Sequence, residues 1–160
     1  MKPTQTSEFW VQAAVIGSLY AALTLLLSPI SYGVMQVRIS EALTVLAMFT
    51  PAAIPGLAAG CFFANFLGPN GVLDAVIGSL ATLVGAMGTY RLRRRFCWAP
   101  MPPVIANALI VGLMLYYVYG VPFSPFYCVF WVGLGELVSC YGIGLPLARF
   151  LKKRRSDLGL

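Results

Sequence analysis

Five side chains stand out in this sequence because their chemistry is costly where they sit: Glu136, Glu41, Arg38, Asn65 and Asn107. All five lie in or beside long apolar runs. Ionisable groups inside such runs are expensive and tend to mark ligand or ion sites. Glu136 falls about 12 residues into an apolar stretch, or roughly 18 Å from its start by helical rise. Gly133, Glu136, Ser139 and Cys140 share one helical face, which would present a small, polar surface inward. Glu136 either serves a ligand or is a structural carboxylate paired with Arg38 or a backbone donor. Glu41 opens another apolar stretch, and Arg38 three residues earlier can pair with it as a plain interfacial ion pair. Asn65 and Asn107 each offer two donors and an acceptor, for a ligand or for an interhelical hydrogen bond. Asp74 falls in the first turn of its segment, where the helix dipole favours an acid. Carboxylates favour a ligand that donates hydrogen bonds or carries positive charge. Tyr32, Tyr116, Tyr117 and Trp131 would supply aromatic walls for a flat ring.

Other chemistry has no visible carriers. Histidine is absent, which removes the commonest general base and transition-metal ligand. Cys61, Cys97, Cys128 and Cys140 are scattered without zinc or redox spacing. No phosphate-cradling G-x-x-x-x-G-K-[ST] string occurs, so energy for active transport would come from another chain. A membrane enzyme built on Glu136 and Ser139 lacks a base of suitable pKa and a metal. The expectation is therefore no catalytic residues, no metal and no cofactor.

The elements that must position these side chains are membrane helices. Of 160 residues, 59% are hydrophobic and only 10% are charged, against about 25% charged in a soluble domain. So little polar surface cannot cover a globule in water, and the apolar surface must face lipid. Six apolar segments emerge, at residues 9–27, 39–50, 52–68, 72–90, 101–119 and 124–151. The first is too long for the apolar core of a signal peptide and reads as a membrane helix. The second is short: twelve helical residues reach about 18 Å, against a hydrocarbon core of about 30 Å. It either crosses with little tilt, starts earlier, or ends inside the protein. Residues 68–71 and 120–122 read as turns.

The net charge of +6 comes mainly from two bursts, residues 91–95 and 152–155. Each follows an apolar run, as topology signals do, so nucleic acid is not an expected partner. Segments five and six separate the bursts, which puts both on the cytoplasmic side. Six crossings then place both termini there. The reading is a single domain, residues 1–160, all-α and integral to the membrane, with membrane lipid around it.

Segment one also carries small residues at four-residue spacing in two adjacent rows. One is Ala13, Gly17 and Ala21; the other is Ala14, Ser18 and Ala22. Such a stripe lets another helix approach closely, either from within the chain or from a partner. Gly78, Gly85 and Gly88 form a similar pattern in segment four, read as internal packing.

Several long strings resemble one family. They are V-R-I-S-E-A-L-T from residue 37, F-T-P-A-A-I-P-G-L from 49, G-S-L-A-T-L from 78, P-P-V-I with N-A-L from 102, and G-L-G-E-L from 133. Over about nine-tenths of its length the chain resembles the QueT family, substrate-binding (S) components of energy-coupling factor transporters. The resemblance implies six helices in a multi-pass plasma-membrane protein and capture of a queuosine precursor outside the cell. It also implies docking onto a transmembrane coupling subunit that carries two ATP-binding subunits. S components meet that subunit through an Ala-x-x-x-Ala type stripe on the first helix. Here the stripe reads Ala14, Ser18, Ala22, with Gly17 beside it, so serine departs from alanine at the middle position. A 7-deazaguanine ligand offers adjacent N–H donors to one carboxylate and, with an aminomethyl group, a cation to another. The sequence does not divide those tasks between Glu136 and Glu41.

Overall fold

The computed structural model describes residues 3–32, 37–69 and 71–154, with side chains from residue 6 onward. Residues 33–36 lie outside the described residues, as do Asn70, read above as part of a turn, and Arg155, read as part of a basic burst. Every apolar segment folds as helix, and no strand occurs among the described residues. Helix α1 covers Pro3–Leu26, and a single turn, α2, covers Ser28–Ser31. A 3-10 helix follows at Ile39–Met48. Helices α3, α4 and α5 span Ala53–Leu67, Gly71–Arg91 and Met101–Tyr117. The last apolar segment is α6 at Pro125–Leu137, a π-helical stretch at Val138–Gly144, and α7 at Leu145–Lys153.

Thr6–Leu26, Gly71–Arg91 and Pro125–Lys153 are long and apolar enough to cross a membrane. The other three apolar helices are shorter. Proline opens elements where its missing N–H costs nothing, as at Pro102 of α5 and Pro125 of α6. Ser124 caps α6, its hydroxyl accepting from the Tyr127 N–H at 3.2 Å. Gly120 adopts a positive φ of 60°, and the chain reverses there from α5 into α6.

Glycines set the helix–helix contacts. A Cβ on Gly17 would lie 2.7 Å from the Gly56 carbonyl oxygen, and one on Gly60 would lie 2.5 Å from that of Gly17. Helices α1 and α3 therefore meet backbone to backbone. Gly85 packs in the same way on Pro103 of α5, and Gly78 on Asn65, so the segment-four glycines are internal as expected.

The short second segment is not a poor span at the edge of the bundle. It is the centre. Ser40, Glu41, Ala42, Leu43, Thr44, Val45 and Ala47 are all buried, enclosed by α1, α3, α4, the π stretch and α7. With three residues per turn, its side chains fall into three rows. Ser40 and Leu43 meet α1, where the Thr24 hydroxyl donates to Ser40 at 2.6 Å and Leu43 clusters with Ile16 and Tyr20. Ala42 and Val45 pack on Gly144 of the π stretch. Glu41 and Thr44 form the third, polar row.

Both basic bursts lie at one end of the bundle. Lys152 Nζ sits 5.2 Å from the centroid of the Phe96 ring, and the Tyr141 hydroxyl donates to the Cys97 carbonyl at 3.0 Å. Asp74 marks the opposite end of α4 from Arg91.

Candidate functional site

The polar side chains form two layers along α4. Asp74 belongs to the layer farther from the basic end, and Thr82 to the deeper one, about 12 Å below by helical rise.

In the first layer, Arg38 Nη2 lies 3.3 Å from Asp74 Oδ2, with both side chains buried. Arg38 also donates through Nε to the Ser31 carbonyl at 3.4 Å and stands 5.6 Å from the Tyr32 ring centroid. Asn65 Nδ2 donates to the Asp74 carbonyl at 3.0 Å. The Tyr32 hydroxyl donates to the Ala64 carbonyl at 2.7 Å. Arg38 thus pairs with Asp74 and not with Glu41, the interfacial pairing that the three-residue spacing allowed. Arg38 is the residue before the 3-10 helix, with extended backbone at φ −87° and ψ 96°, so helical i, i+3 spacing does not govern where its side chain goes. Asp74 does lie in the first turn of α4, and it also neutralises Arg38.

The deeper layer is built around Glu41, which is fully buried rather than at the outer rim. Its Oε1 accepts from the Tyr20 hydroxyl of α1 and from Thr82 Oγ1 of α4 at 3.0 Å. Its Oε2 has no hydrogen-bond partner. Asn107 of α5 stands beside both Glu41 and Glu136, yet its Nδ2 completes a hydrogen bond to neither. Cys140 Sγ lies 3.8 Å from Glu136 Oε2 and 3.6 Å from the Glu41 carbonyl. The expected inward face of Gly133, Glu136, Ser139 and Cys140 does turn toward α5 and the 3-10 helix: Ser139 and Cys140 are buried, and Glu136 is 2% exposed. Among the described residues Glu136 pairs with neither Arg38 nor a backbone donor.

Five expected residues thus fall into two neighbouring groups: Arg38 with Asn65, and Glu41 with Asn107 and Glu136. Sequence reasoning missed Tyr20 and Thr82, the two groups that hold Glu41. A tyrosine buried in the middle of a membrane helix needs a partner for its hydroxyl, and that signal was available. Of the aromatics proposed as walls, Tyr32 stands beside Arg38. Tyr116 and Tyr117 form an edge-to-face pair at 4.9 Å and are exposed, Tyr117 at 73%.

The two small rows of α1 separate. Ala13 and Gly17 are buried against α3, whereas Ala14, Ser18 and Ala22 are exposed. Gly17 packs on α3 and still lines the groove beside Ser18. Alongside, Trp10, Ser18, Pro55 and Phe63 border a groove of about 480 Å³ between α1 and α3.

A buried carboxylate oxygen and a buried amide nitrogen without partners are unusual in a folded core, where nearly all such atoms are satisfied. Their desolvation is recovered when something else supplies the missing hydrogen bonds. The arrangement suits a chamber that receives a polar ligand. Tyr20, Thr82 and Cys140 can orient carboxylates, but no group in the cluster is arranged as a nucleophile with its base.

A protein of Lactococcus lactis subsp. cremoris (strain MG1363), called "Queuosine precursor transporter QueT", is 36% identical over 104 residues. That alignment covers 61% of this chain and spans only 60% of the relative's length. No solved structure matches the chain. The model of the family described as QueT transporter matches residues 10–153, nearly the whole helical bundle and every polar residue of both layers, and the chain belongs to that family of transporters, which are not enzymes.

Proposed function

We propose that this chain is the membrane-embedded substrate-binding subunit of an energy-coupling factor transporter and that it takes up a 7-deazaguanine precursor of queuosine. One observation carries the reading: Glu41 Oε2 and Asn107 Nδ2, on neighbouring side chains, are both buried without a hydrogen-bond partner among the described residues. A lactam edge offers the complement of that pair, an N–H for the carboxylate and a carbonyl for the amide. Guanine-type rings carry such an edge, with an exocyclic amino group as a second donor. Glu136, a second carboxylate beside Asn107, suits an aminomethyl cation on the same ring. The relative's printed name supports the substrate class.

The remaining parts follow from the same reading. Six crossings of the plasma membrane with both termini cytoplasmic agree with two basic bursts at one end of the bundle. The exposed Ala14, Ser18 and Ala22 row is a smooth surface suited to a helix of the coupling subunit. That subunit and two ATP-binding subunits would supply the energy, since the chain has no phosphate-binding loop.

The test is calorimetry on the purified chain with a panel of deazaguanines, purines and vitamins. Tight binding of a 7-deazaguanine, weakened strongly by Glu41→Gln, is the expected result. Binding of another vitamin or nucleobase instead would keep the architecture and replace the substrate. Binding of no deazaguanine would sink the assignment.

A further inference from the structure

A second groove, of about 640 Å³, lies between α4 and α5 near the basic end. Its walls are apolar, from Val84 and Leu92 on α4 to Ile105 and Leu109 on α5. Gly88 keeps the floor low, because a Cβ there would collide with Pro102. From Met101 to Ile110 the groove runs roughly 13 Å along α5 by helical rise. At its mouth stand Arg91 and Trp98, both lining residues and both exposed.

The mouth is cationic. Among the described residues the only ion pair is Arg38–Asp74, so Arg91 has no acidic partner among them. Arg94 and Arg95 follow it on the same turn, and the cation–ring contact of Lys152 with Phe96 brings the second basic burst to the same end. Trp98 is of the type that anchors at the membrane–water boundary. An apolar slot ending in an unpaired guanidinium complements an acyl chain ending in a phosphodiester. A partner helix is a poorer fit. It is about 10 Å across and needs a smooth face like the outer row of α1, whereas Trp98, Met101, Ile105 and Leu109 line this slot with large side chains.

We propose that the α4–α5 groove binds one anionic phospholipid, its acyl chain between Val84 and Ile105 and its phosphate on Arg91. The site is separate from the carboxylate cluster and holds whatever the transported substrate is.

Native mass spectrometry of the delipidated full chain in detergent tests it, with phosphatidylglycerol and phosphatidylcholine of identical acyl chains added in turn. The expected result is one retained phosphatidylglycerol in preference to phosphatidylcholine. Arg91→Gln should cut that retention about fivefold, the size expected for one basic residue at an anionic surface. Arg94→Gln, outside the groove, should cut it less, and Ile105→Trp should reduce retention of both lipids by filling the slot. Equal retention of the two lipids by the native chain would overturn the proposal. So would equal losses in Arg91→Gln and Arg94→Gln, which would mean diffuse surface charge. Dimer masses in place of lipid adducts would assign the groove to a second copy of the chain and overturn it as well.

Discussion

The Tyr20 hydroxyl of α1 donates to Oε1 of Glu41 on the central 3-10 helix. The helix that exposes Ala14, Ser18 and Ala22 on one side thus holds the buried Glu41 carboxylate with the other. Tyr20→Phe leaves Thr82 as the remaining donor to Oε1. Hydrogen bonds to charged groups contribute about 1.5–3 kcal/mol, so precursor binding should weaken about tenfold or more. Calorimetry reads this directly, and unchanged affinity would reduce Tyr20 to a packing role.

The two carboxylates should differ in what they recognise. Glu41→Gln is expected to weaken binding of all 7-deazaguanines, because it alters the edge-reading pair with Asn107. Glu136→Gln is expected to weaken only ligands with a cationic aminomethyl group, by about tenfold or more if a charge-assisted bond is lost. Binding curves for 7-deazaguanines with and without that group separate the two. Equal losses on both ligands for Glu136→Gln would remove the proposed division of tasks.

The Arg38–Asp74 pair is buried on both sides. Removing one member leaves an uncompensated charge in a low-dielectric interior, a loss of about 3–5 kcal/mol. Arg38→Met should therefore lower the unfolding midpoint of the purified chain markedly. Arg38→Met with Asp74→Asn should recover most of it. A single variant as stable as the native chain would show that the pair is solvated.

The two rows of α1 make opposite predictions. Gly60→Ala drives a methyl into the α1 backbone, and overpacking of this kind costs about 1–3 kcal/mol. It should destabilise the isolated chain. Ser18→Leu adds bulk to an exposed site and should leave stability within about 0.5 kcal/mol, while abolishing co-purification with the coupling subunit. An undiminished complex would move the docking surface elsewhere.

The six helices were legible because apolar length is a local property, counted directly along the chain. The setting of the second was not. Its brevity looked like a weak span, and only the surrounding helices reveal that Ala42, Val45 and Ala47 face protein on every side. The costly side chains were legible for a related reason: a glutamate or asparagine within an apolar run is conspicuous wherever it points. Their partners were not. Tyr20, Thr82 and Asp74 come from other helices, and the contacts span from 21 to 41 residues of sequence. Even the local pairing that spacing allowed, Arg38 with Glu41, does not form, because Arg38 is extended and pairs with Asp74. The split of the α1 rows depended on which face α3 chose, and the spacing of small residues is the same on both.

The enclosed 3-10 helix has a bearing on how the chain is held together. Ten residues at about 2.0 Å each reach about 20 Å, short of the hydrocarbon core, and they carry Ser40, Glu41 and Thr44 among them. Such a segment gains little from partitioning into lipid by itself. Its resting place exists only once α1, α4 and the π stretch have come together around it. The second segment is therefore held in place by the helices around it rather than by its own transfer into lipid.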